Sequence, residues 1–193
     1  MSILVCLDPG HGGMDQGAVG FVLREKEVCL DLAYRIERQL KKYEGIHVTM
    51  TRSIDIDTSP EERSEWANRR QADLFLSLHT NASSDPSATG FASYVSVIAG
   101  SKARRIQCWL HNRIVSFLRP LGVADLGKKN DTETLDGQMI ELRQAQMPAI
   151  TLGSLFITHA KDNVLLRDSF FRDEYATCIA QGIANIYRLP LKS

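Results

Sequence analysis

Two histidines and one glutamate have the residue types and the positions of a metal site. His11 follows the apolar run 3–7 through Asp-Pro-Gly, and His79 ends the apolar run 73–79, so both imidazoles are expected at the ends of buried strands. Glu25 opens the amphipathic segment that follows the first of these loops. Two imidazoles and one carboxylate with an open fourth position are a ligand set of hydrolytic zinc enzymes. Zinc in such a site lowers the pKa of water to about 7 and polarises a carbonyl group.

Each of these residues also has a structural interpretation. A histidine at a strand end commonly serves only as a hydrogen-bonding group, and a glutamate in a first helical turn complements the helix dipole. The glycines within residues 10–13 could instead cradle a phosphate at a helix N-terminus. No Gly-Lys-Ser/Thr follows them, which excludes a P-loop. On the residues alone, a metal hydrolase and a phosphate- or nucleotide-binding protein therefore both stay open.

Strand-length apolar runs alternate with amphipathic segments along the chain. Residues 25–43 carry an apolar side chain at every fourth position, which predicts a helix. Ser59-Pro60-Glu61-Glu62 has the pattern of a capping box with proline at the first helical position, and it predicts a helix to about residue 70. The other predicted strands are 47–51, 91–98 and 147–152, the other predicted helices are 102–118 and 170–187, and the polar residues 122–138 are expected to form an exposed loop.

This alternation predicts one α/β domain with a largely parallel sheet. We expect the domain to span residues 1–189 and a linker to begin within 190–193. A chain of 193 residues, 44% of them hydrophobic, is long enough to bury its own core. In open α/β sheets, ligands bind outside the carboxyl ends of the strands, which is where His11 and His79 are expected.

The composition excludes several classes of protein. Lys and Arg together number 23 and so do Asp and Glu, which leaves no net charge to attract nucleic acid or an anionic membrane. None of the four cysteines belongs to a Cys-x-x-Cys pair, which excludes a zinc ribbon. No apolar run is long enough to cross a bilayer. The first residues have neither a basic region nor a small-residue cleavage site, so we expect synthesis in the cytoplasm without a signal peptide.

Four ordered segments resemble the zinc-dependent N-acetylmuramoyl-L-alanine amidases of the type-3 family. They are LDPGHGGMDQGAVG, LREKEV, DLFLSLHTNAS and RQAQMPAI, and the similarity runs from residue 3 to residue 187. The resemblance implies a six-stranded, mostly parallel sheet with helices on both faces, and one catalytic zinc ion per chain. It also implies peptidoglycan as the substrate, cleaved at the amide between the lactyl group of N-acetylmuramic acid and L-alanine of the stem peptide.

The resemblance places the family's zinc ligands on His11, Glu25 and His79, in agreement with the strand-end positions. Glu27 is the nearest competitor for the carboxylate ligand. The match of Arg24-Glu25-Lys26 to the family motif favours Glu25, and Glu27 is expected to be a solvated helix residue.

Other polar residues receive weaker assignments. Asn81 matches the family's His-x-Asn and is expected to orient the loop or a ligand, with a simple turn-forming role as the alternative. Arg143 is a weaker candidate for substrate contact. His159 lies in a polar turn and is expected at the surface, and His47 and His111 are assigned no role.

The chain departs from the family at Gly153. The family has a glutamate there, which acts as general base and then as general acid, whereas glycine has no proton to give or take. Three explanations compete: a deliberate substitution that removes activity, a natural relative that binds wall fragments without cleaving them, or a substitute carboxylate. The intact other motifs favour the first, and Glu141, the nearest substitute in sequence, is ranked last because it could equally be a solvated strand-edge residue.

The biological role is less determined than the chemistry. A chain without a signal peptide is compatible with a phage endolysin or a sporulation amidase that reaches the bacterial cell wall after release. A separate wall-binding domain after Ser193 fits either role. A non-catalytic peptidoglycan-binding module on the same fold is the alternative function.

Overall fold

The computed structural model describes residues 2–134 and 137–192, so positions 1, 135, 136 and 193, which belong to the predicted domain, loop and linker segments, lie outside the described residues. A six-stranded sheet in the order β4-β1-β5-β8-β6-β7 forms the centre of the fold. Its strands are β1 (Ile3–Pro9), β4 (Ile46–Met50), β5 (Leu74–Asn81), β6 (Phe91–Val95), β7 (Asp125–Asn130) and β8 (Ala149–Phe156), and the short β2 (Val19–Gly20) and β3 (Leu23–Arg24) form a separate hairpin.

The sheet is parallel except where β6 meets β8. Strand β1 pairs in parallel with β4 and β5, β5 with β8, and β6 with β7, whereas β6 and β8 are antiparallel. The carboxyl ends of β1, β5 and β8 therefore share one edge of the sheet. The predicted mostly parallel, six-stranded α/β sheet is confirmed.

Helices cover both faces of the sheet. They are α1 (Glu25–Leu40), α2 (Pro60–Arg69), α3 (Ser101–Leu118), α4 (Ile140–Gln144), α5 (Ala160–Arg167) and α6 (Ser169–Tyr187). The larger apolar core lies between the sheet and α1, α3, α5 and α6, and a smaller one lies between the opposite face and the helices α2 and α4. Ser59 and Glu62 form the predicted capping box at the start of α2.

The prediction of a loop over 122–138 is wrong for its centre. Residues Asp125–Asn130 form the edge strand β7, which pairs with β6. The strand has no alternation of apolar and polar residues, because it packs little of its surface against the core, and Gly127 adopts a left-handed φ of 89° within it. A polar edge strand of this kind has the composition of a loop.

The end of the described chain is held against the domain. The backbone N–H of Glu44 donates to the Pro190 carbonyl, and the N–H of Lys192 donates to the Lys42 carbonyl. The residues predicted to begin a linker are thus hydrogen-bonded as far as 192, and the domain boundary stays a prediction. In the described residues, no helix has both the length and the apolar character needed to cross a membrane.

Candidate metal centre

Three structural elements bring the predicted ligands together at one edge of the sheet. His11 follows the end of β1, His79 lies near the end of β5, and Glu25 is the first residue of α1. Strands β1 and β5 are neighbours, with Pro9 opposite Leu78 in the register. The two imidazoles therefore emerge at the same carboxyl edge, as their positions in the sequence predict.

Two glycines allow the imidazoles to approach the backbone so closely. A Cβ on Gly10 would overlap the His79 ring, with Nδ1 at 2.7 Å. A Cβ on Gly17, which also has a left-handed φ of 63°, would lie 2.6 Å from His11 Cδ2. Any larger residue at either position would displace a ligand side chain.

The three side chains form a compact set of donor atoms. One potential ligand atom from each of His11, Glu25 and His79 lies within 4.8 Å of the others. Glu25 Oε2 is 3.2 Å from His11 Nε2, and Glu25 Oε1 is 3.2 Å from His79 Nδ1. The two imidazole rings are 4.9 Å apart in an edge-to-face arrangement. Two nitrogens and one carboxylate oxygen at this spacing fit a three-residue zinc site with an open position.

Neighbouring groups fix the orientation of the donors. His11 Nδ1 is 2.7 Å from Asp15 Oδ2, which leaves Nε2 facing Glu25. The backbone N–H of Ala18 donates to Glu25 Oε2 at 2.9 Å, and the N–H of Thr80 donates to Oε1 at 2.8 Å. Carboxylate support behind a histidine is a common feature of metal sites. Sequence reasoning missed Asp15, although its position four residues after His11 offered a signal.

The charges of the cluster suit a divalent cation. Burial acts to lower the pKa of His11, but the carboxylates of Glu25 and Asp15 raise it to about 9. Burial acts to raise the pKa of Glu25, and the two histidines hold it far below its usual range. A metal ion would thus take the place of a proton on His11, so metal binding is expected to release protons.

Two arginines hold the backbone of the loop that carries His11. Arg52 donates to the carbonyls of Pro9 and Gly10, at 3.0 and 2.8 Å. Arg63 donates to the carbonyls of Pro9 and His11, and it forms a buried ion pair with Asp8 at 2.8 Å. The contacts of these two arginines could not be predicted from the sequence, because they join chain segments that meet only in the folded protein.

The alternative of a phosphate cradle at residues 10–13 is not supported by this geometry. The N–H of Gly10 donates to Leu78, that of Gly12 to Asp15, and that of Gly13 to the Asp55 carboxylate. A phosphate cradle needs free N–H groups, and these three already donate within the protein.

Residues 5–185 match the protein family described as N-acetylmuramoyl-L-alanine amidase. The chain belongs to this family. Among its relatives, the endolysin of Bacillus phage SPP1 is 34% identical over 195 residues, which cover all of this chain and 69% of the endolysin. The sporulation-specific N-acetylmuramoyl-L-alanine amidase of Bacillus subtilis is 32% identical, over 99% of this chain and 71% of that amidase.

The fold of the chain agrees with solved amidase structures. The crystal structure of N-acetylmuramoyl-L-alanine amidase from Clostridium difficile 630 superposes with a TM-score of 0.89, at 27% sequence identity and with 97% of each chain covered. The resemblance identified from the sequence motifs is therefore confirmed at the level of family and fold.

Gly153, which the sequence motifs align with the family's glutamate, lies on β8 beside the candidate ligand His79. It pairs in register with His79 on the parallel strand β5, and paired residues project to the same face of a sheet. The Asn81 side chain occupies this space, since a Cβ on Gly153 would overlap Asn81 Oδ1. Asn81 Nδ2 also donates to the Gly153 carbonyl at 3.0 Å. A role for Asn81 in substrate binding stays a prediction.

Glu141 and Arg143 lie in different surroundings. Glu141 was predicted as either a substitute base or a solvated strand-edge residue, and the second interpretation is wrong: Glu141 lies in α4 and is only 8% exposed. Arg143 pairs with the fully buried Asp131, at 2.5 Å between Nε and Oδ2. The Arg143 guanidinium group therefore already takes part in an ion pair inside the protein. Substrate contact by Arg143 stays a prediction.

The other histidines lie outside the ligand cluster. His159 Nδ1 is 3.0 Å from Asp162 Oδ1, and the His159 side chain caps the start of α5. His111 is buried between the hydroxyl of Ser93 at 2.8 Å and the carboxylate of Asp125 at 2.9 Å, which links α3 to β6 and β7. His47 is exposed on β4.

Proposed function

We propose that this amidase uses one zinc ion, held by His11, Glu25 and His79, to hydrolyse the amide between N-acetylmuramic acid and L-alanine of the peptidoglycan stem peptide. The observation that carries the proposal is the close set of two imidazoles and one carboxylate at the carboxyl edge of the sheet. When bound there, zinc would polarise the amide carbonyl and lower the pKa of a water molecule to about 7.

Other residues of the chain would hold the proposed ligands in position. Asp15 accepts a hydrogen bond from His11 Nδ1 and so keeps Nε2 directed into the site. The N–H groups of Ala18 and Thr80 hold the two Glu25 oxygens apart, each facing a different imidazole. These contacts position the ligands before a substrate arrives.

Gly153 cannot carry out the proton transfer that amide hydrolysis needs. A positioned general acid or base contributes about 10²–10⁴-fold to a rate, and glycine contributes none of it. Hydrolysis is therefore slow in this chain unless another carboxylate takes the proton.

A second candidate function follows from the same position. Because the Asn81 amide fills the space beside Gly153, the site could hold a peptidoglycan fragment without cleaving it. This alternative is a non-catalytic peptidoglycan-binding module on the amidase fold.

The cell wall of a bacterium is the proposed place of action, in the manner of an endolysin or a sporulation amidase. The two curated relatives named above are longer than the region that matches this chain. We propose that a further wall-binding domain accompanies the catalytic domain.

The test is cleavage of purified peptidoglycan by the zinc-loaded chain and by Gly153→Glu, measured as newly exposed L-alanine amino groups. The proposal expects cleavage by at least one of the two and its loss in His79→Ala. Binding of peptidoglycan fragments without cleavage by either protein would overturn the amidase proposal and favour the binding module.

A further inference from the structure

The face of the sheet that carries His79 is covered by α4. Side chains alternate along a strand, so Phe75 and Ser77 project to the same face as His79. Their partners in the register of β8 are Ala149, Thr151 and Gly153. Phe75 and Ala149 pack with Leu142 of α4 in the smaller apolar core. Helix α4 therefore lies over the face to which a side chain at position 153 would project.

Glu141 is buried on this helix without the hydrogen-bond partners that the other buried carboxylates have. Among the described residues, four other acidic side chains are buried and each accepts at least two hydrogen bonds; they are Asp8, Glu25, Asp131 and Asp162. Within the same part of the chain, no ion pair or hydrogen bond to another residue's side chain is found for the Glu141 carboxylate. The Glu141 carboxylate accepts a hydrogen bond from its own backbone N–H. A carboxylate can accept several hydrogen bonds, so Glu141 keeps acceptor positions for a further donor.

The charged groups that act on Glu141 belong to the metal site and its support. They are His79, the Asp8 carboxylate and the Arg63 guanidinium. Burial raises the pKa of Glu141, and Asp8 adds to this, while His79 and Arg63 act against it. Arg63 is already paired with Asp8, so it does not neutralise Glu141. A buried carboxylate with a raised pKa holds a proton more strongly than an exposed one, which suits a general base.

We propose that Glu141 is the catalytic residue that transfers the proton in this amidase, in place of a side chain at position 153; the inference rests on the proposed amidase function. Glu141 would take a proton from the attacking water as the water oxygen bonds to the amide carbonyl carbon. When the carbon–nitrogen bond breaks, its electron pair stays on the nitrogen, which receives this proton from Glu141. The products are the lactyl carboxylic acid and the free amine of L-alanine, and the Glu141 carboxylate is regenerated.

Glu141→Gln tests the proposal because it keeps the size of the side chain and removes the exchangeable proton. The zinc-loaded natural chain is expected to cleave peptidoglycan, and Glu141→Gln is expected to be slower by about 10²–10⁴-fold. Zinc affinity should be unchanged in the variant, since Glu141 lies outside the ligand set. Glu174→Gln, which changes an exposed carboxylate on α6, is the matched control and should keep full activity.

A second readout uses the metal-free proteins. Glu141 is a buried carboxylate without an ion pair among the described residues. Replacing it by an amide should raise Tm at pH 8 by about 2–4 °C, the shift that corresponds to 1 kcal/mol in a domain of this size. The rise should be smaller at pH 5, where the natural carboxylate is closer to its protonated form. No rise at pH 8 would mean that a cation neutralises the Glu141 carboxylate, which would contradict the reason for assigning it a catalytic role.

The outcomes separate this inference from the amidase proposal. Cleavage by the natural chain and by Glu141→Gln at rates within threefold would overturn the role of Glu141 alone. Cleavage by Gly153→Glu with none by the natural chain would also reject Glu141 and would leave the amidase proposal standing. If neither the natural chain nor Gly153→Glu cleaves peptidoglycan, both the role of Glu141 and the amidase proposal are rejected.

Discussion

Asn81 and Gly153 share one space in the amidase. The Asn81 amide donates to the Gly153 carbonyl at 3.0 Å, and its oxygen lies where the first side-chain atom at position 153 would be. Strand β5 is irregular between His79 and Asn81, which lets Asn81 reach across to β8. A side chain at position 153 therefore cannot be added without moving Asn81.

Gly153→Ala tests this relationship. Gly153 does not have a positive φ. Where the backbone conformation suits alanine, a change from glycine to alanine usually stabilises the fold by about 0.4–1 kcal/mol. Here we expect a loss of about 1–3 kcal/mol from overpacking against Asn81. In the background of Asn81→Ser the same change should cost less, which a double-mutant cycle of urea unfolding would measure. Equal costs in the two backgrounds would contradict the shared space.

Glu25 and Glu27 make a matched pair for the ligand assignment. Glu25 is buried against both histidines, whereas Glu27 is half exposed and pairs with Arg24 at 3.1 Å. We expect Glu25→Gln to weaken zinc binding by more than about 100-fold. Changes to residues that only hydrogen-bond to a metal ligand already lower metal affinity by about 10–100-fold. Glu27→Gln should bind zinc as the natural chain does. Competition titration against a zinc-sensitive dye gives both affinities, and similar losses in the two variants would refute the assignment.

Asp8 should make the stability of the fold sensitive to acid. Burial acts to raise its pKa, but Arg63 and the hydroxyls of Thr51 and Ser77 hold the pKa below its ordinary value. A lowered pKa stabilises the fold at pH values above the ordinary value of about 3.9, and this stability is lost as the pH falls through the lowered value. Asp8→Asn should cost about 3–5 kcal/mol at pH 7, because it leaves the Arg63 charge buried without its partner.

The measurement for Asp8 is the free energy of urea unfolding at pH 7, 5 and 3. The difference between the natural chain and Asp8→Asn should shrink towards pH 3. A difference that stays constant over this range would show that the Asp8 charge is not what stabilises the loop. Glu174→Gln should leave the pH profile unchanged.

Leu155 should reverse the usual order of alanine and glycine variants. It is fully buried in β8 and has a left-handed φ of 63°, a conformation that costs a residue with a Cβ about 1–2 kcal/mol. Both Leu155→Ala and Leu155→Gly lose buried surface, at a cost of about 2–5 kcal/mol for the alanine variant. Because only glycine relieves the backbone strain, the glycine variant should be more stable by about 1 kcal/mol. Thermal unfolding of the two variants compares them, and an alanine variant with the higher Tm would refute the prediction.

The ligand cluster could be predicted because it depends on few elements. His11 and His79 each end a buried strand, and the parallel sheet brings those ends together. The start of α1 at Glu25 then places the carboxylate beside them. The positions of these three residues depend on no contact between distant surface residues, so sequence patterns are sufficient to predict them.

The parts that sequence reasoning missed depend on tertiary contacts or on very short elements. Helix α4 has five residues, too few to show a helical period, so Glu141 could not be assigned to a buried face. Strand β7 is polar because it is an edge strand. The proximity of Asn81 to Gly153 requires an irregularity in β5 that no residue type in the sequence indicates.

The two arginines that hold the His11 loop imply that this loop has the same shape with and without a metal ion. Arg52 and Arg63 bind the carbonyls of Pro9, Gly10 and His11 through protein contacts alone. Preorganisation of this kind lowers the ordering cost of binding a ligand. If the proposed zinc site is right, uptake of the ion should be fast and reversible, and the metal-free protein should bind zinc on simple addition, without a refolding step.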